Sequence, residues 1–126
     1  MRVSRRWVSP ALMLLVVGCA SPGGVSTSSS SRTLTQAELE TTREANLHDA
    51  IQRLRPQWLR ERMSGLSGAR RFAQVYLNGS LRGGIDFLRQ ISLQDVADVR
   101  FLSASDAANR YGTTAGTGGV IEVRTR

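Results

Sequence analysis

The side chains with the widest chemical reach in this sequence are its single cysteine, Cys19, and its single histidine, His48. A lone cysteine excludes an intramolecular disulfide and calls for another role. His48 precedes Asp49 and serines abound, so a nucleophile–base–acid set can be written on paper, but no spacing supports one. His48 is expected as a surface residue of a helix. Paired carboxylates and metal-ligand clusters at usable spacing are lacking, so neither an enzyme activity nor a cofactor is expected. Arg53, Arg55, Arg60, Arg62, Arg70 and Arg71 form a basic run. It reads either as a solvated face or as a surface for anionic lipid or glycan headgroups, with Arg53, Arg60, Arg62, Arg70 and Arg71 as candidate contacts. The Gly116–Gly119 loop invites a phosphate-binding reading. It lacks a Gly-Lys-Ser/Thr ending and leads into a strand, not a helix N-terminus. A return requiring positive φ explains it better.

The residues around Cys19 supply its role. Arg2, Arg5 and Arg6 form a positive segment, and Ala11 to Val17 form a short apolar one. That run falls well short of the about 20 residues needed to span a bilayer, which is the pattern of a removed signal. The sequence Leu15-Val16-Val17-Gly18-Cys19 resembles the lipobox of bacterial lipoproteins, where a small residue precedes an obligatory cysteine. The resemblance implies a diacylglyceryl group on the Cys19 sulfur, cleavage between Gly18 and Cys19, and acylation of the new amine. Two or three acyl chains, at about 0.8 kcal/mol per buried CH₂, hold a protein firmly to a membrane. The alternative is an ordinary secretory signal with an incidental cysteine. Ala20 stands where an Asp would resemble an inner-membrane retention signal, so the outer membrane, on its periplasmic side, is the expected location.

Charge and composition agree with export. The full chain has 126 residues with a net charge of +7, and all its basic side chains are arginine. Removing Arg2, Arg5 and Arg6 leaves 14 arginines against 10 acidic residues, or +4. A basic balance often marks nucleic-acid binding, but an exported protein seldom meets nucleic acid, and anionic headgroups are the more natural counter-charge. Ser21 to Ser31 is rich in Ser and Gly and too poor in apolar residues to repay ordering. It is expected as a flexible tether.

Beyond it, Thr35 and Glu38 match a capping box. Leu47, Ile51, Leu54 and Trp58 recur at helical spacing, which predicts one helix to about Leu54. Pro56 then forces a kink or a fresh turn. Phe72 to Leu77 reads as a strand, Asn78-Gly79 as a tight turn and Gly83-Gly84 as a second turn. Ile85 to Ile91 reads as a helical turn, and Ser92 with Asp95 resembles a helix start. A strand spans Val99 to Leu102, Ser105 caps a short helix ended by Gly112, and Val120 to Arg124 closes the sequence as a strand. The expectation is an α/β (α+β) layer with one long N-terminal helix, short helices and about three strands.

Five segments then look familiar as an ordered set: Val75-Tyr76-Leu77-Asn78-Gly79, Gly83 to Arg89, Asp95 to Leu102, Ser105 to Gly112, and Gly118 to Arg124. They resemble the plug domain of TonB-dependent outer-membrane receptors. In that family a strand ends in an Asp/Asn-Gly turn, a small-residue helix ends in Tyr-Gly, and Gly-Gly-Val-Ile opens the last plug strand. The likeness runs from Phe72 to Arg126. In the family the plug sits inside a barrel of several hundred residues, whereas this sequence stops where the barrel would begin. It also shows no energy-coupling box. The resemblance therefore implies a plug-like fold and not a transporter.

The expected organisation is a lipoprotein signal over 1–18, a lipidated tether over 19–34 and a plug-like domain over 35–126. The expected function is a non-catalytic binding module at the outer membrane. Its expected partners are the membrane, through the lipid on Cys19, and an outer-membrane barrel or a periplasmic protein; nucleic acid is not among them. The competing expectation is direct recognition of anionic lipid, glycan or a small ligand by the arginines and the glycine loop.

Overall fold

The computed structural model describes residues 31–64, 69–113, 115 and 117–126. The signal, Gly18, Cys19 and nearly all of the expected tether lie outside the described residues, as do Gly65 to Gly68. The described strands are β1 (Thr33–Thr35), β2 (Arg62–Ser64), β3 (Ala69–Arg71), β4 (Gln74–Leu77), β5 (Ser80–Gly84), β6 (Val96–Leu102) and β7 (Val120–Thr125). The described α-helices are α1 (Gln36–Glu40), α2 (Leu47–Leu54) and α3 (Ala104–Tyr111). Tight 3₁₀ turns occupy Pro56–Trp58, Ile85–Gln90 and Leu93–Asp95. The chain is thus mixed α and β, around a five-stranded sheet ordered β1-β6-β7-β4-β5. The β4–β7 pair is parallel and the other ladders are antiparallel. β2 and β3 form a separate antiparallel ribbon.

The last strand in sequence lies in the middle of the sheet, and Val120, Ile121, Glu122 and Val123 are all buried. Residues opposite one another across a ladder share a face. The pairs Leu34–Val99, Val99–Val123, Phe101–Ile121 and Val75–Ile121 therefore build one apolar face. α1, α2 and the 3₁₀ turns cover it with Leu39, Leu47, Ile51, Trp58, Leu88 and Leu93. The other face carries Tyr76, Glu122 and Arg100 in one row, and α3 packs on it through Ala107 and Tyr111.

Several sequence expectations change at this level. The single long helix is two. Thr35 and Glu38 form the expected capping box of α1. The Thr41 and Thr42 hydroxyls then donate to the carbonyls of Glu38 and Leu39 at 2.6 and 2.7 Å, satisfying the orphan acceptors of a helix end. Arg43 adopts φ +55°, and Asn46 caps α2 by accepting from the Asp49 amide at 3.0 Å. Side-chain hydrogen bonds thus break a stripe that apolar spacing alone reads as continuous. The tether boundary also moves. Thr33 and Leu34 belong to β1, and Leu34 is fully buried. Gly83 and Gly84 are strand residues of β5, with Gly83 at φ +137° opposite a register shift in β4. The cap of α3 is Ser103, whose Oγ accepts from the Asp106 amide at 3.2 Å.

Other expectations hold. Pro56 opens a fresh 3₁₀ turn after Arg55 leaves helical geometry. Asn78 and Gly79 both have positive φ in the tight β4–β5 turn, as a type I′ hairpin requires. Gly112 ends α3 at φ +92°.

Candidate functional site

The candidate arginines do not form one cationic face. Arg53 pairs with Glu44 at 3.0 Å. Arg62 turns inward: its guanidinium lies 4.3 Å above the centre of the Phe101 ring and donates to the carbonyls of Gly118 at 3.2 Å and Gln57 at 2.9 Å. Burial pulls the Arg62 pKa below its ordinary value. This arginine pins the β2 end of the ribbon to the sheet. Arg71 is exposed and stands opposite Arg62 in the ribbon. Arg70 pairs with Met63 through the backbone, and its side chain lies outside the described residues.

The glycine loop is likewise structural. A Cβ on Gly118 would strike the backbone carbonyl of Phe72, and one on Gly119 would come within 2.7 Å of the Phe101 ring. Gly119 also sits at φ +92°. At Gly118 and Gly119 the backbone is packed against its own fold.

Arg60 has a different setting. It lines an open cavity of about 390 Å³ together with His48, Gln52, Pro56, Leu59, Ile85 and Arg89. His48 and Gln52 stand one turn apart on α2, and Ile85 and Arg89 are similarly spaced on the turn Ile85–Gln90. The Leu47 amide donates to the Ile91 carbonyl at 2.9 Å, which draws the two elements together. This packing corrects the expectation for His48, which is 8% exposed and not a surface residue. Its Nδ1 lies 3.1 Å from Asp49 Oδ1. A carboxylate only accepts, so Nδ1 carries the proton and Nε2 is left for the cavity. The hydrogen bonds from His48 and then Asn46 hold the Asp49 carboxyl below the usual carboxylate range.

A second cavity, of about 460 Å³, lies across the sheet among Asn78, Gly79, Arg110, Tyr111, Glu122 and Arg124. Glu122 is 5% exposed. It accepts from the Tyr111 hydroxyl at 2.7 Å and pairs with Arg110 at 2.8 Å. Tyr111 stacks on Tyr76 with ring centres 4.1 Å apart. Burial, and then Glu122, raise the Tyr111 pKa. These partners compensate the buried carboxylate, so the cluster fastens α3 to β7.

β5 is a further surface feature. It pairs only with β4 among the described strands, so its outer backbone edge carries no ladder. Leu81 on it is 54% exposed. Added Cβ atoms at Gly83 and Gly84 would meet nothing within 4 Å.

Among the described residues, no group of three or more His, Cys, Asp or Glu could hold a metal ion, and no helix is long and apolar enough to cross a membrane. Sequence reasoning missed Gln52, Ile85 and Arg89 as neighbours of His48 and Arg60. The 48/52 and 85/89 spacings were the available signal, but which two faces meet depends on packing. Compared with models of known families, with characterised proteins and with solved structures, the chain matches none.

Proposed function

We propose that this chain is an exported lipoprotein, held by acyl chains on Cys19 to the periplasmic side of the outer membrane, whose plug-like domain is a non-catalytic docking module for another envelope protein. The lipobox-like run Leu15 to Cys19 and the ordered plug-like segments support the anchor and the kinship. The observation that carries docking is the open edge of β5. An unpaired strand edge offers a row of N–H and C=O groups to a further strand. Gly83 and Gly84 carry no side chains of their own there and have open space around their Cα atoms, and Leu81 offers an exposed apolar contact. The partner in this reading is an extended segment of an outer-membrane barrel or of a periplasmic protein, added beside β5.

In-cell photo-cross-linking tests this directly. A photoreactive residue at position 81 is expected to capture one defined envelope protein. The same residue at position 100, an exposed site on β6, is expected not to capture it. Equal capture from both positions, or none from 81, contradicts docking at β5.

A further inference from the structure

The cavity between α2 and the Ile85–Gln90 turn plays no part in strand-edge docking, and its chemistry is one-sided. Arg60 and Arg89 are both exposed at its rim. Neither donates a hydrogen bond to, nor forms an ion pair with, any described residue, and Arg89 acts on the Asp49 carboxylate only as a nearby charge. Gln52 adds an amide, and His48 adds a ring nitrogen not engaged by Asp49. Pro56, Leu59 and Ile85 supply apolar wall. An apolar-walled cavity with a few convergent polar groups is the usual form of a small-ligand site.

The charge selects the ligand class. Each guanidinium offers a planar fork of donors that matches an oxyanion. A carboxylate presents its two oxygens in one plane, and one bidentate fork takes both. A phosphate ester presents its non-bridging oxygens tetrahedrally, so two forks can reach it from different directions. Of the features that could oppose an anion here, the Asp49 carboxylate and the C-terminal end of α2 are already engaged. The Asp49 carboxylate receives His48 at 3.1 Å on one oxygen and Asn46 at 2.9 Å on the other. At the C-terminal end of α2, the Leu54 carbonyl accepts from Arg55 at 2.9 Å, which offsets the negative end of that helix.

We propose that this cavity binds a phosphate ester, with the phosphate between Arg60 and Arg89, Gln52 and His48 beside it, and the carbon portion against Leu59, Pro56 and Ile85. The ester is either part of a lipid headgroup or a soluble metabolite.

The test titrates the chain from position 19 onward, carrying Cys19→Ala so that neither the signal nor a lipid contributes, with glycerol 3-phosphate and separately with phosphatidylglycerol vesicles, using phosphatidylcholine vesicles as the neutral reference. Arg60→Gln and Arg89→Gln are each expected to weaken binding about tenfold or more. Arg100→Gln, on the opposite face of the sheet, is expected to leave it unchanged. Thermal melting checks that the variants stay folded. Arginine-dependent binding of glycerol 3-phosphate alone supports the site with a soluble ligand. Arginine-dependent binding of the anionic vesicles supports it with a lipid headgroup. If neither probe saturates, or if binding ignores both Arg60→Gln and Arg89→Gln, the proposal is overturned.

Discussion

The Tyr111 hydroxyl donates to Glu122 Oε1 across 2.7 Å and so ties the last turn of α3 to the central strand β7. The acceptor is a buried carboxylate, and the donor ring stacks on Tyr76 of β4. Burial and the adjacent carboxylate raise the Tyr111 pKa in the folded chain. The neutral phenol is therefore favoured by folding. Its contribution to stability is fully present below the ordinary tyrosine pKa of about 10 and is lost as the pH rises through the higher folded value. Tyr111→Phe is expected to cost about 1–2 kcal/mol at neutral pH and to flatten the loss of stability in alkali. Urea unfolding at neutral pH and above pH 10, with tyrosinate absorbance followed alongside, reads both effects.

On the acid side, Asp49 is expected to contribute. Hydrogen bonds from His48 and Asn46 lower its folded pKa. Its contribution is present above the ordinary Asp value of about 3.9 and disappears as the pH falls through the depressed one. Asp49→Asn is expected to reduce the sensitivity of unfolding to pH in that acid window while leaving the alkaline limb intact. Chemical unfolding across that window gives the comparison. An unchanged acid limb in the variant means that Asp49 is not the group responsible.

The glycines of the last loop are expected to behave as packing residues. Gly118→Ala drives a methyl into the Phe72 carbonyl, and Gly119→Ala meets the Phe101 ring at a positive φ. Each is expected to cost about 2–4 kcal/mol. Gly79→Ala, at φ +84° but in open space, is expected to cost only about 1–2 kcal/mol. The ranking in urea unfolding distinguishes steric closure from backbone conformation alone.

Leu34 is the first buried residue among the described ones. It is fully buried on β1, opposite Val99. Leu34→Ala is expected to cost about 2–5 kcal/mol, whereas Leu81→Ala, on the exposed edge, is expected to stay within about 0.5 kcal/mol. A small effect at Leu34 would mean that β1 contributes little to the fold.

These residues also show what the sequence could and could not reveal. The existence of β4, β6 and β7 was legible because Val, Ile, Tyr and Phe recur in them and because Asn78-Gly79 has one favoured turn geometry, although β4 starts at Gln74 and not Phe72, and β6 at Val96 and not Val99. The capping box at Thr35 was legible for a similar reason, since its two partners are three residues apart. β1, β2, β3 and β5 are short or polar, and pairing across long stretches of chain defines them more than their own residues do. The break between α1 and α2 arises from Thr41, Thr42 and Asn46 bonding to nearby backbone, which hydrophobic spacing does not register. The same limit applies to function. The arginine run was visible, but Arg62 stacks on Phe101 while Arg60 faces a cavity with Arg89, and only the packed elements separate the two. The burial of His48 follows from the docking of α2 on the Ile85–Gln90 turn, which no local pattern announces.

The proposed docking at the membrane rests on attachment through Cys19, and the intact mass of the protein extracted from native membranes tests that proposal most directly. The expected species begins at Cys19 and carries a diacylglyceryl group on sulfur, with a further acyl chain on the new amine, while the Cys19→Ala variant is neither lipidated nor cut before position 19. A mature chain with a free Cys19 thiol, or one beginning at another residue, would contradict it.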